Sequence, residues 1–241
     1  MNGPAHRSFL VVDVENSSAL DNVELVRTDS MLYRLLEESI PNPEAVAAKE
    51  DRGDGVMVIL DLPALDVLDH VVTGLLEKVR QYNTTVDPLD WLRIRIAVHE
   101  GYVDRDKHGW RSDALTATFR LNGTQVVKDA LKHAARSQGV VIISDAVYQG
   151  VVRHGYRPTV TPAGYDGVVI GTSQGDIQAW VRVPGYPIPS LPGRQAVSTR
   201  EEHRDRASNA GLPGSVTANN LIVGKVNART IVGRDIVGGA P

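Results

Sequence analysis

From Leu92 to His99 the chain alternates without a break, with Leu92, Ile94, Ile96 and Val98 apolar and Arg93, Arg95, Ala97 and His99 between them. That period of two is the signature of a strand with one face in a core. Residues 8–14 (SFLVVDV) read as a second, buried strand. Leu25, Leu32, Leu35, Leu36 and Ile40 follow at nearly helical spacing until Pro41 stops them. Residues 45–60 read as a hairpin, because Ala45 to Lys49 and Val56 to Leu60 flank the turn Asp51-Arg52-Gly53-Asp54-Gly55. A second helix carries Leu65, Leu68, Val72, Leu75, Leu76 and Val79 on one face, and residues 124–136 carry a third with Val126, Val127, Ala130, Leu131 and Ala134. Val140 to Ile143 resume strand character, and apolar runs near 167–171 and 177–183 pair as a closing hairpin. Strands outnumber helices and alternate with them irregularly, so the expectation is an α+β sheet covered by helices.

The domain is expected to span 1–187, because Pro184, Pro187, Pro189 and Pro192 then open a linker, 188–213, that includes the mixed-charge run Arg200 to Arg206. The tail, 214–241, repeats a β-prone unit: Ile222-Val223-Gly224-Lys225 returns as Ile231-Val232-Gly233-Arg234 and, shorter, as Ile236-Val237-Gly238. Two readings of it stand: a disordered tail with too little core to offset ordering entropy, or a strand-forming segment that pairs with a protein partner.

Composition removes several function classes. Cysteine is absent, which excludes disulfides, thiolate zinc sites and cysteine nucleophiles. A net charge of −3 gives no electrostatic reason to expect nucleic acid or an anionic membrane. No stretch reaches the roughly 18 apolar residues of a membrane helix, and the N-terminus lacks a signal-peptide pattern, so the expected location is cytoplasmic. A small anionic ligand stays compatible, since backbone donors and bound metals hold phosphates on acidic proteins.

Two acids are candidates for chemistry. A lone Asp in a turn usually caps backbone donors, and Asp54 taken alone fits that role. Asp13 interrupts a buried strand, where a carboxylate needs a cation or donors. If that strand lies beside the hairpin, the two carboxylates converge on an oxygen-only site suited to Mg2+ or Mn2+. Val14, Glu15, Asn16, Ser17 and Ser18 then lead towards the first helix, offering backbone N–H groups to an anion. There is no GxxxxGK[ST], no GxGxxG, no zinc-type histidine spacing and no GxSxG elbow.

The series FLVVDVENS, DRGDGVMVIL, LRIRIAVHEGYV and ALTATFRLNG resembles the four core motifs of class III adenylate and guanylate cyclases, over roughly residues 8–183. DRGDG, the GW before FRL, and VVRHGY followed by AW and PG further resemble an actinobacterial cyclase-like subgroup with glycine-rich tails. The resemblance implies a ferredoxin-like class III cyclase sheet, two metal ions on Asp13 and Asp54, and a nucleoside triphosphate converted to a 3′,5′-cyclic nucleotide and pyrophosphate. It implies a phosphorus–oxygen lyase acting as a homodimer, with Arg120, at the start of the helix after the fourth motif, stabilising the transition state across the interface. Removing such a donor typically costs roughly 3–4 kcal/mol; the alternative is that Arg120 pairs with a surface carboxylate.

This chain departs from the pattern at four places. The ribose-orienting asparagine is Thr116, the base-reading lysine is Glu50, the acidic base-reading position falls near Gly109, and a triphosphate-contacting lysine is Ser173. A base code of neither type leaves the base open. The same losses support a competing reading, a catalytically silent dimerisation or nucleotide-sensing module that displays its tail. His99, Trp110 and His154 match the subgroup and are assigned to packing and hydrogen bonding.

Overall fold

In the computed structural model, described over residues 3–53, 55–107, 109–172 and 175–187, the elements follow the order β1 (Ala5–Val14), α1 (Asn22–Glu37), β2 (Val46–Asp51), β3 (Gly55–Leu60), α2 (Ala64–Asp66), a π-helical segment (Val67–Val72), α3 (Thr73–Asn83), β4 (Ile94–Asp106), β5 (Gly109–Arg111), α4 (Asp113–Asn122), α5 (Gln125–His133), β6 (Gly139–Ser144), α6 (Asp145–Gly150), β7 (Tyr165–Thr172) and β8 (Gly175–Arg182). All described residues belong to one compact unit, Met1–Gln195. The expected linker 188–213, the tail 214–241, Asp54 and Ser173 lie outside the described residues.

The expected α+β sheet is present. Its strands run in the order β2-β3-β1-β4-β6-β8-β7, with β5 pairing the far end of β4. β1 lies antiparallel to β3 on one side and to β4 on the other, while β4 and β6 run parallel. Helices cover both faces, which is why β1, β3 and β6 read as continuous apolar runs instead of alternating.

On one face Leu10, Val12, Val58, Ile94, Ile96 and Val98 pack with Leu32 and Leu36 of α1 and Leu75 and Val79 of α3. On the other, Phe9, Val11, Met57, Ile59 and Ala97 pack with Leu115 and Leu121 of α4 and Val127 and Leu131 of α5. Burying each large apolar side chain contributes about 1.5–3 kcal/mol.

Local signals set the helix boundaries. Asp21 and Glu24 form a capping box at the start of α1: Asp21 Oδ1 accepts from the N–H of Val23 and Glu24 at 2.8 Å each, and the Asp21 N–H donates to Glu24 Oε2 at 3.1 Å. The single helix expected near 65–79 is instead interrupted by the π segment. Around it Arg157 donates to Asp66 Oδ1 at 2.5 Å and to Asp69 Oδ2 at 2.6 Å, fastening the stretch before β7 to this turn.

Candidate active site

Asp13 stands one residue from the end of β1, and the sheet gives it two cross-strand neighbours: Gly55 on β3 and Arg95 on β4. Gly55 is required by the approach of the two chains, since a Cβ there would fall 2.2 Å from the Val12 carbonyl oxygen and 2.8 Å from Asp13 Cα. The expected adjacency of the first strand and the hairpin is therefore real, and Asp54 immediately precedes Gly55, Asp13's direct neighbour, in sequence.

On the other side Arg95 grips the carboxylate with both prongs of its guanidinium, Nε to Oδ1 at 2.7 Å and Nη2 to Oδ2 at 3.0 Å. The side chains of Asp13 and Arg95 are only 18% and 11% exposed, so water competes weakly for the pair. Sequence reasoning missed Arg95 as a site residue. The signal was available in the alternation that sets Arg93 and Arg95 on one face.

Two residues along, Glu15 and Arg93 repeat the pairing, Nη1 to Oε2 at 2.7 Å. Arg93 also donates to the carbonyls of Ser137, Leu131 and Ala134, at and just past the C-terminus of α5. The Glu15 N–H goes to the Arg93 carbonyl, so of the five residues expected to face an anion, Glu15 has its donor already engaged. Asn16 then adopts a left-handed conformation, φ 58° and ψ 22°, and turns the chain into the short 3-10 helix Ser17–Ala19. Val14 and Ser17 are buried, and Asn16 and Ser18 are exposed.

A cleft of about 530 Å3 opens between the end of β2, β5 and the start of α4. Glu50, Gly109 and Thr116 all line it, together with Arg52, Trp110 and Phe119. Arg52 lies over the Phe119 ring at 4.6 Å and 3.7 Å from Glu50. Ser112 caps α4, its hydroxyl accepting from the Leu115 N–H at 3.1 Å and donating to the Tyr102 carbonyl at 2.7 Å.

Thr116 is exposed and donates to the Ser112 carbonyl at 3.1 Å. Arg120 is exposed one turn further on, in the last turn of α4 and not at a helix start as expected. Neither Asp13 nor Arg120 lines the cleft. Within one chain, the residues expected to act together thus form two groups, Asp13 with Arg95 and Glu50 with Gly109 and Thr116.

No protein-family model matches the chain, and no curated protein does. Among solved structures, the adenylate/guanylate cyclase/hydrolase from Silicibacter pomeroyi superposes with a TM-score of 0.55 at 16% identity, over 76% of this chain and 98% of that one. A bacterial light-regulated adenylyl cyclase superposes at 0.48 with 14% identity, over 74% of this chain and 90% of that one. The fold is that of the class III cyclases.

Within this cyclase fold, Asp13 fits a hard divalent ion in donor type: it offers carboxylate oxygens only and already balances a positive charge. Among the described residues no group of three or more His, Asp or Glu side chains is close enough to hold an ion.

The three residues assigned to packing have defined partners. His99 Nδ1 lies 2.7 Å from Ser144 Oγ, and burial, with a smaller effect from His6, lowers its pKa. Trp110 carries Arg105 over its ring at 5.2 Å, and His154 stacks on Tyr156. Among the described residues no helix is long and apolar enough to cross a membrane.

Proposed function

We propose that the chain is a nucleotidyl cyclase that converts a nucleoside triphosphate to a 3′,5′-cyclic nucleotide and pyrophosphate, working as a homodimer. One observation carries this reading. Glu50, Gly109 and Thr116 come from three separate elements, stand at the positions where the resemblance implies base- and ribose-reading residues, and line a single cleft.

In the proposed reaction the ribose 3′-oxygen forms a bond to the α-phosphorus, the bond to the bridging oxygen of pyrophosphate breaks, and the hydroxyl proton passes to solvent. Two Mg2+ or Mn2+ ions, when bound, make the hydroxyl a better nucleophile and neutralise the triphosphate. Asp13 and Asp54 of one chain hold them. Arg120 of the other chain stabilises charge growing on the α-phosphate. The turn Val14 to Ser18 offers backbone N–H groups to the phosphates, that of Glu15 excepted because it is bound to the Arg93 carbonyl. Glu50 has only acceptors, so it favours a base edge that presents N–H donors.

The test is incubation of purified protein with Mn2+ or Mg2+ and each of the four common triphosphates, followed by chromatography. A cyclic product from at least one of them, lost in Asp54→Asn with the fold retained, is the expected result. Turnover that survives Asp54→Asn would reject the metal assignment.

The second reading is a silent cyclase-like module that binds nucleotide or only dimerises. Two observations favour it: the Thr116 hydroxyl is spent on its own helix, and Asp13 is already neutralised by Arg95. Nucleotide binding without product under all four triphosphates would establish that reading.

A further inference from the structure

We propose that Arg95 is an internal competitor for the metal position on Asp13, so that a divalent ion binds there only as the guanidinium lets go. The inference rests on the reading that Asp13 is a metal ligand. Both carboxylate oxygens are engaged by a two-pronged contact, at 2.7 and 3.0 Å, so about half of the carboxylate's roughly four lone-pair positions are already directed at N–H groups. A guanidinium left beside a divalent ion would also repel it, and the pair's low exposure leaves little water to screen that repulsion.

Arg95 and Arg93 sit two residues apart on the same strand and differ in how they are held. Arg93 spreads its donors over three backbone carbonyls and Glu15, which ties it to the frame of the fold. The side-chain hydrogen bonds of Arg95 go to Asp13 alone among the described residues. Arg95 can therefore leave its partner by side-chain rotation, with the β1–β4 register intact. A released guanidinium in a half-buried place needs another anion. Metal affinity is accordingly low in the empty protein and is raised by whatever anion draws Arg95 away.

The experiment is titration of the full chain with Mn2+ alone, reading the free ion by electron paramagnetic resonance, in wild type, Arg95→Gln, Asp13→Asn and the double variant. Arg95→Gln should lower the Kd at least about tenfold, as expected for removing a like charge in contact with the site. The double variant should lose that gain. Arg95→Lys keeps the charge but loses the fork, and should tighten binding by a smaller factor. It also serves as the readout if circular dichroism shows Arg95→Gln unfolded.

An Arg95→Gln Kd equal to or weaker than wild type, with Asp13→Asn still weakening Mn2+ binding, overturns the competition and leaves the metal reading standing. If Arg95→Gln is unfolded, Arg95→Lys with wild-type affinity overturns the competition as well. If Asp13→Asn changes nothing in either background, the metal reading itself fails.

Discussion

Glu15 and Arg93 hold each other at two points, the Glu15 N–H donating to the Arg93 carbonyl at 2.8 Å and Arg93 Nη1 donating to Glu15 Oε2 at 2.7 Å. The same arginine satisfies carbonyls at the end of α5, so one side chain joins the turn after β1 to the far helix. Arg93→Met strands a half-buried carboxylate and three carbonyls together. It should cost about 3–5 kcal/mol, the range for breaking one partner out of a buried pair. Urea unfolding should show a lower midpoint at unchanged slope, with part of the loss recovered when Glu15→Gln is added.

Gly55→Ala tests the close approach of β3 to β1. The added carbon would meet backbone atoms of Val12 and Asp13, which cannot rotate away. A loss of at least about 2–3 kcal/mol is expected. Gly53 is the control: its φ of +89° strains any side chain, but nothing lies within 4 Å of the new carbon. Gly53→Ala should cost only about 1–2 kcal/mol, so thermal unfolding should rank the two variants clearly.

His99 makes a prediction about pH. Its folded pKa is lowered below the ordinary 6.5, first by burial and then by His6. As pH falls below about 6.5, the unfolded chain takes up a proton that the folded chain resists, so stability declines until the folded pKa is passed. Above that window the group contributes no slope. His99→Gln should flatten the acid limb of a stability–pH profile, and an unchanged limb would assign it to other groups.

The proposed shared site, with Asp54 of one chain acting beside Arg120 of the other, predicts complementation across a dimer. Asp54→Asn and Arg120→Ala should each be inactive alone. Random mixing makes about half the dimers mixed, each with one intact site of two, so roughly a quarter of wild-type turnover should return. Recovery near zero, with mixed dimers confirmed by native mass spectrometry, would sink the shared site.

Sequence pattern was most informative where burial is simplest. The runs at 8–14, 56–60 and 140–143 became β1, β3 and β6 because strands covered on both faces carry little else but apolar residues. The helix α4 was harder to see. Thr116 and Thr118 are weak helix formers, and the segment reads first as a motif, so Arg120 was misplaced within it.

The π segment was hidden for a different reason: an apolar face at 65, 68, 72, 75, 76 and 79 looks the same whether one turn is widened or not. The pairing of Arg95 with Asp13 was hidden, unlike its place on the strand face, because the partner is set by strand register. Asp13 and Arg95 are 82 positions apart in the chain, and only the antiparallel pairing of β1 with β4 places them side by side.

That β1 is paired along both edges has a dynamic consequence. Amide protons from Phe9 to Val12 should be among the last to exchange with deuterium, and the backbone beneath Asp13 can then open only when the whole sheet does. Whatever gives way to admit a ligand must therefore be a side chain or a rim segment, turning against a floor that stays still.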